Sequence, residues 1–219
     1  MNNKLKNQKI FPSTPDSINK SIEIISKGGV AILPADTVYG LFCRADLHES
    51  VERVYAIKQR EKRKPFVIYT NKSKVADIVE LSDVSRELID KIWPKALSLV
   101  LKKKSNMPDW FAPNGTIAVM TAMNKVVSTV IANVPFPIIG TTVNISGEPE
   151  IKTAKEAEFF IDQVDIMIDD DSIPIYNKPS TMIDCTVNPP KIIRLSSLSL
   201  EEIQSVIPNT VIDLSGRIA

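Results

Sequence analysis

The apolar residues of this chain fall into short continuous runs and helical repeats, taken in alternation. Ile18, Ile22 and Ile25 recur at helical spacing after Thr14, a capping residue with Pro15 and Asp16 behind it, and Gly28-Gly29 ends the pattern. Val30–Leu33 is wholly apolar and predicts a buried strand, followed by the loop Pro34–Gly40 and a second apolar piece at Leu41–Ala45. His48–Ile57 predicts a helix with Val51, Val54 and Tyr55 on its inner side. Further strands are predicted at Pro65–Thr70, Leu97–Leu101, Thr116–Thr121, Pro137–Gly140, Val164–Ile168, Ser180–Thr186 and Lys191–Leu195. Helices are predicted at Ser73–Glu80, Val84–Ile92, Lys125–Asn133, from Thr153 through Phe160, and at Leu198–Val206. Strands alternate with helices, and some strands follow each other directly, so the expected class is α/β with a mixed sheet. No linker or repeat divides the chain, which predicts one domain over residues 13–208, a flexible arm at 1–12 and a tail at 209–219.

Composition narrows the picture little, and charge changes it more. A hydrophobic share of 43% with 24% charged residues is that of an ordinary water-soluble domain. The polar start lacks the apolar core of a signal peptide, and no apolar run approaches the ~20 residues that span a bilayer. A soluble, cytoplasmic protein with no membrane partner is therefore expected. Cys43 and Cys185 lie far apart in apolar stretches and read as buried free thiols. The net charge is only +1, yet Lys58-Gln59-Arg60-Glu61-Lys62-Arg63-Lys64 holds five basic residues and one acidic residue. Such a concentration at the end of a predicted helix points to an anionic ligand, although taken alone it also reads as a solvated helix end.

Several chemistries are excluded by what is missing. Neither glycine-rich phosphate cradle occurs, and the cysteines form no Cys-x-x-Cys pair. His48 is the only histidine and opens a polar helix start, which argues against zinc and against a Ser-His-Asp or Cys-His relay. Asp169-Asp170-Asp171 reads as a solvated turn rather than a cation loop. What remains are polar loops at strand ends: Pro34–Gly40, Lys58–Pro65, Thr141–Gly147 and Ser180-Thr181. Arg194 joins them because its neighbours Ile192, Ile193 and Leu195 imply a buried arginine with a polar or anionic partner.

In that order the motifs resemble the YrdC-like family, over roughly residues 14–196. Pro34-Ala35-Asp36-Thr37-Val38-Tyr39-Gly40-Leu41 is similar to the family's Pro-Thr-Asp-Thr-Val-Tyr-Gly-Leu. Lys58 and Arg60 with Lys64-Pro65 resemble its Lys-x-Arg followed by Lys-Pro. Trp93-Pro94, Thr141–Glu148, Ser180–Asp184 and Arg194 match later segments. The resemblance implies a twisted mixed β-sheet flanked by helices around a large concave, positively charged cavity. It implies a threonylcarbamoyl-AMP synthase of the short, single-domain type, without the further C-terminal domain of longer members and with some YciO-like features. That reaction joins L-threonine, bicarbonate and ATP, with Mg²⁺ accompanying the ATP, and releases pyrophosphate. Its product serves the t6A modification of adenosine 37, so tRNA and the other threonylcarbamoylation proteins are expected partners.

By the same likeness Lys58, Arg60, Thr142 and Asn144 carry the chemistry. Arg60, Lys64, Thr116, Thr142 and Arg194 bind ATP, Thr37, Tyr39 and Ser180 bind threonine, and no protein metal site is implied. Lys58, Arg60 and Lys64 are expected to face the cavity, with Lys62 and Arg63 outside it. Three positions depart from the family pattern. Met120 stands where the synthases usually have an arginine that pairs with the threonine carboxylate, Ala35 replaces a threonine, and Thr142 replaces a serine. Two alternatives follow: a related adenylate-forming enzyme with a different amine substrate, and a non-catalytic, YciO-like RNA-binding protein in which Lys102–Lys104 adds to the basic surface.

Overall fold

A computed structural model describes residues 9–36, 38–62, 64–112, 114–170 and 178–214. The chain opens with β1 (Ile10–Pro12) and α1 (Pro15–Ser26). Thr14 and Ser17 form a reciprocal capping box at the start of α1. The helix is left through Gly28 at φ +90°, a left-handed turn that a side chain adopts only with strain. β2 (Ala31–Pro34) and β3 (Tyr39–Arg44) follow, then α2 (His48–Lys58), β4 (Val67–Tyr69), α3 (Val75–Ile78) and α4 (Asp83–Ile92). Next come β5 (Leu97–Lys102), a short 3-10 turn at Asp109–Phe111, β6 (Thr116–Met120), α5 (Lys125–Asn133) and β7 (Ile138–Thr142). The helix predicted from Thr153 is α6 (Ala154–Ala157), tightening to 3-10 over Glu158–Gln163. β8 (Ile166–Asp169), β9 (Thr181–Asp184), β10 (Lys191–Arg194), α7 (Leu200–Gln204) and β11 (Val211–Ile212) complete the described chain.

These elements gather into two compact units. The first comprises residues 1–64 and 124–177, the second 65–123 and 178–219. In the first, β1 pairs parallel with β8, β8 parallel with β2, β2 antiparallel with β3, and β3 antiparallel with β7. α1 packs on α5 and β8, and α2 packs on β3. The side chains of Val30 through Leu33 are fully buried, as a wholly apolar run requires. In the second unit, β4 pairs parallel with β6, β6 antiparallel with β5, β5 parallel with β9, β9 antiparallel with β10, and β10 parallel with β11. Its core holds Ile68, Leu88, Leu97, Leu99, Leu101, Ile117 and Ile183. The expected α/β class with a mixed sheet flanked by helices is what forms.

Two expectations are corrected. Within the segment read as a loose arm, residues 10–12 form a strand, Ile10 opposite Met167 and Pro12 opposite Asp169. Lys9 adds hydrogen bonds from its Nζ to the carbonyl oxygens of Val164 (2.7 Å) and Ile161 (3.3 Å). A three-residue strand is too short to show periodicity, and its hydrogen-bond partners lie more than 150 residues away. The tail likewise contributes β11, with Val211 opposite Lys191 and Ile212 opposite Ile192. No described helix is long and apolar enough to cross a membrane.

Candidate functional site

The basic cluster is taken apart by its backbone. Lys58 is the last residue of α2, and Gln59 after it adopts a left-handed conformation at φ 49°, ψ 41°. That single turn reverses the chain, and the amide of Arg60 donates back to the Tyr55 carbonyl at 3.1 Å. Lys58 is consequently buried, 1% exposed, while Lys62 lies outside and pairs with Glu52. Arg60 is half-buried and donates from Nε to the Lys64 carbonyl at 3.0 Å, an oxygen that also accepts the Tyr55 hydroxyl at 3.1 Å. Lys58 is thus buried and Lys62 exposed; Arg63 lies outside the described residues.

Lys58 reaches the segment that follows β7. Its Nζ donates to the Thr142 carbonyl at 2.6 Å, to Asn144 Oδ1 at 2.7 Å and to the Asn144 carbonyl at 3.1 Å. Thr142 Oγ1 donates to Asn144 Oδ1 at 2.6 Å, and Asn144 Nδ2 donates to the Glu148 carbonyl at 2.7 Å. The amide of Ser146 returns a bond to the Lys58 carbonyl at 2.7 Å. Gly147, at φ +92°, makes the turn that brings Glu148 back toward Asn144. Three residues singled out by sequence, Lys58, Thr142 and Asn144, thus form one hydrogen-bonded group. Burial, helped by the Arg60 charge and opposed by Glu150, pushes the Lys58 ammonium down to about 8. Burial also holds the Arg60 guanidinium below its ordinary range, opposed by Tyr55.

The opening loop is tied into the same unit. Asp36 is buried, and its Oδ1 accepts the Asn124 amide at 2.6 Å, while Asn124 Oδ1 caps α5 through Val126 N at 2.8 Å. Tyr39, also buried, accepts the Asp170 amide on its hydroxyl at 3.0 Å, and its carbonyl accepts the Val143 amide at 3.0 Å. Thr37 lies outside the described residues.

The second unit holds its own polar group. Arg194 donates from Nε to the Ser180 carbonyl at 2.9 Å and from Nη2 to Ser180 Oγ at 3.1 Å. Ser180 Oγ lies 2.8 Å from Ser98 Oγ, and Ser98 Oγ lies 3.6 Å from Met120 Sδ. Arg194 is exposed, not buried among its apolar neighbours as expected. It ends β10, where the register with β9 shifts, and that irregularity turns its head back along the strand onto Ser180. Ser98 was missed by sequence reasoning, although a serine inside Leu97–Leu101 is itself a signal: a fully buried hydroxyl needs a partner. Thr116 begins β6 opposite Lys102 and belongs to neither polar group. Among the described residues no three His, Cys, Asp or Glu side chains gather as metal ligands.

Comparison with known proteins matches these features to a family. The Sua5_yciO_yrdC family model, described as telomere recombination, matches residues 23–196. A threonylcarbamoyl-AMP synthase of Pyrococcus abyssi is 31% identical over 187 residues, 84% of this chain and 55% of that protein. The chain therefore spans about half the length of that relative. One from Pseudoalteromonas translucida is 29% identical over 178 residues, 78% of this chain and 95% of its own length. Among solved structures, that of P. abyssi Sua5 complexed with L-threonine superposes with a TM-score of 0.85 at 27% identity, covering 95% of this chain and 63% of the other. Escherichia coli YciO superposes at 0.76 with 23% identity, over 89% of this chain and 98% of its own, a likeness of fold alone. A model match across residues 23–196 takes in both polar groups and most of the chain, which belongs to the Sua5/YciO/YrdC family.

Proposed function

We propose that the protein is a threonylcarbamoyl-AMP synthase, forming threonylcarbamoyl-adenylate from L-threonine, bicarbonate and Mg-ATP for t6A modification of tRNA. The observation that carries this reading is the group formed by Lys58, Thr142 and Asn144 with Arg60 two residues on. The names of the relatives support it. In the reaction the threonine amine adds to bicarbonate with loss of water, giving a carbamate. A carbamate oxygen then attacks the α-phosphorus of ATP, and pyrophosphate leaves. Charge spreads over the phosphoryl centre, and fixed cations and hydrogen-bond donors stabilise it better than an acid-base pair does. Arg60 and Lys64 are assigned to the triphosphate, Thr142 and Asn144 to neutral hydrogen bonds. Mg²⁺ arrives with the nucleotide. Thr116 and Arg194 are assigned to the nucleotide, and Thr37, Tyr39 and Ser180 to threonine.

The test is incubation with threonine, labelled bicarbonate and Mg-ATP. Pyrophosphate and a labelled adenylate are expected; no product at high threonine, with ATP still bound, overturns the reading. One observation favours a second reading. Met120 Sδ sits against Ser98, and a thioether offers a carboxylate no charge-assisted bond, a loss of about 1.5–3 kcal/mol or ten- to a hundredfold in affinity. An amine other than threonine is then the better substrate. A panel of amines and amino acids in the same assay decides between the two by their kcat/KM.

A further inference from the structure

We infer that Lys58 is a positioning residue, whose ammonium fixes the segment from Thr142 to Glu148 instead of meeting phosphate. An ammonium carries three hydrogens. Three oxygens take them: Thr142 O at 2.6 Å, Asn144 Oδ1 at 2.7 Å and Asn144 O at 3.1 Å. The remaining neighbour, Thr142 Oγ1 at 3.4 Å, lies beyond ordinary N–H···O length. A phosphate oxygen could take a Lys58 hydrogen only by displacing one of these acceptors. The displaced acceptor would then lose its charge-assisted bond to the ammonium, Asn144 Oδ1 keeping only the Thr142 hydroxyl.

The lysine also sets the orientation of Asn144. Lys58 can only donate, so the Asn144 atom facing it is the oxygen, and the Asn144 amide nitrogen must point to Glu148 O, where it donates at 2.7 Å. The hydroxyl hydrogen of Thr142 is committed to the same Asn144 oxygen, which leaves its lone pairs as acceptors. The Ser146 amide closes the arrangement from the other side on the Lys58 carbonyl at 2.7 Å. The end of α2 and the segment after β7 are therefore bonded in both directions. Arginine is a poor substitute here, because a planar guanidinium cannot direct three hydrogens to acceptors gathered around one point.

The geometric part of this inference stands alone; its activity arm rests on the proposed synthase function. Three measurements on wild type, Lys58→Met, Lys58→Arg and Arg60→Ala separate the possibilities: amide hydrogen exchange at residues 143–148, the ATP dissociation constant, and kcat with KM for pyrophosphate release. In Lys58→Met, exchange at Val143 and Ser146 should quicken about tenfold or more. ATP affinity should stay within about threefold of wild type, and kcat should fall about a hundredfold. Arg60→Ala should do the reverse, losing about tenfold in ATP affinity while the segment stays protected. The inference is overturned if Lys58→Met weakens ATP as Arg60→Ala does, or if its segment stays protected. Should Lys58→Met fail to fold, Lys58→Arg decides. A phosphate ligand tolerates the exchange with kcat retained, whereas a pin loses both protection and kcat. If wild type binds ATP but releases no pyrophosphate, the synthase reading fails and the exchange data alone judge the pin.

Discussion

Raising the pH should stabilise the fold through Lys58 while destabilising it through the buried thiols, and one substitution separates the two effects. Burial lowers the Lys58 pKa from an ordinary 10.5 to about 8. Between those values the folded state has released a proton that the unfolded state still holds. The unfolded chain binds more protons, so stability rises with pH across the window. The full window is worth on the order of 3 kcal/mol, and the part gained between pH 7 and pH 9 about 1.3 kcal/mol. Burial raises the Cys43 thiol above its ordinary 9.0 and pushes Cys185 up to about 12. Those groups ionise first in the unfolded chain, so their contribution is complete below about 9 and falls as pH rises further. Urea unfolding at half-unit steps from pH 7 to 9.5 is the assay, run on wild type and on Lys58→Met. The thiols are common to both proteins, so their effect cancels in the difference. Wild type should gain on the variant by about 1.3 kcal/mol by pH 9. A difference that stays flat across the range would refute the argument that burial has displaced this proton.

The remaining predictions concern single contacts. Lys62→Ala, at an exposed pair with Glu52, should leave ATP affinity within about twofold, in contrast to Arg60→Ala, with calorimetry as the check. Ser98→Ala removes the hydroxyl beside Ser180 and should raise the amino-acid KM about three- to tenfold, with the KM for ATP unchanged. Gln59→Gly should stabilise the protein by about 0.5–1 kcal/mol in urea unfolding, because φ 49° strains any side chain and suits glycine.

Much of the fold was legible because its signals are local. Thr14, Ser82, Thr153 and Ser199 cap helices through their own side chains, and the α1, α4 and α5 patterns have apolar residues at three- and four-residue spacing. Strands buried on both faces, such as β2, show as unbroken apolar runs. What escaped is defined by distant partners. β1 exists because β8 offers a free parallel edge, and β11 because β10 does. Neither strand carries enough residues to display a period, so no reading of residues 10–12 or 211–212 in isolation separates strand from coil.

The site divides along the same line, and Lys58 shows why. Polar loops at strand and helix ends marked the region, and the family likeness singled out Lys58, Thr142 and Asn144 within it. Sequence cannot say where three ammonium hydrogens go. That depends on Gln59 turning left-handed and on two carbonyls and one amide oxygen arriving from 84 to 86 residues away. Once those acceptors are in place, the same charge that suggested a phosphate ligand is committed to the protein, and the proposed function assigns the phosphate to Arg60 and Lys64 instead. Ser98 shows the converse. Its position among leucines looked like part of a strand core, yet a fully buried hydroxyl there is held by Ser180 and places a side chain that no motif names beside the one that the family pattern does. A motif thus locates the residues that chemistry needs. Which of them touch the substrate, and which hold the others in place, is decided by how many hydrogen bonds each has already spent inside the fold.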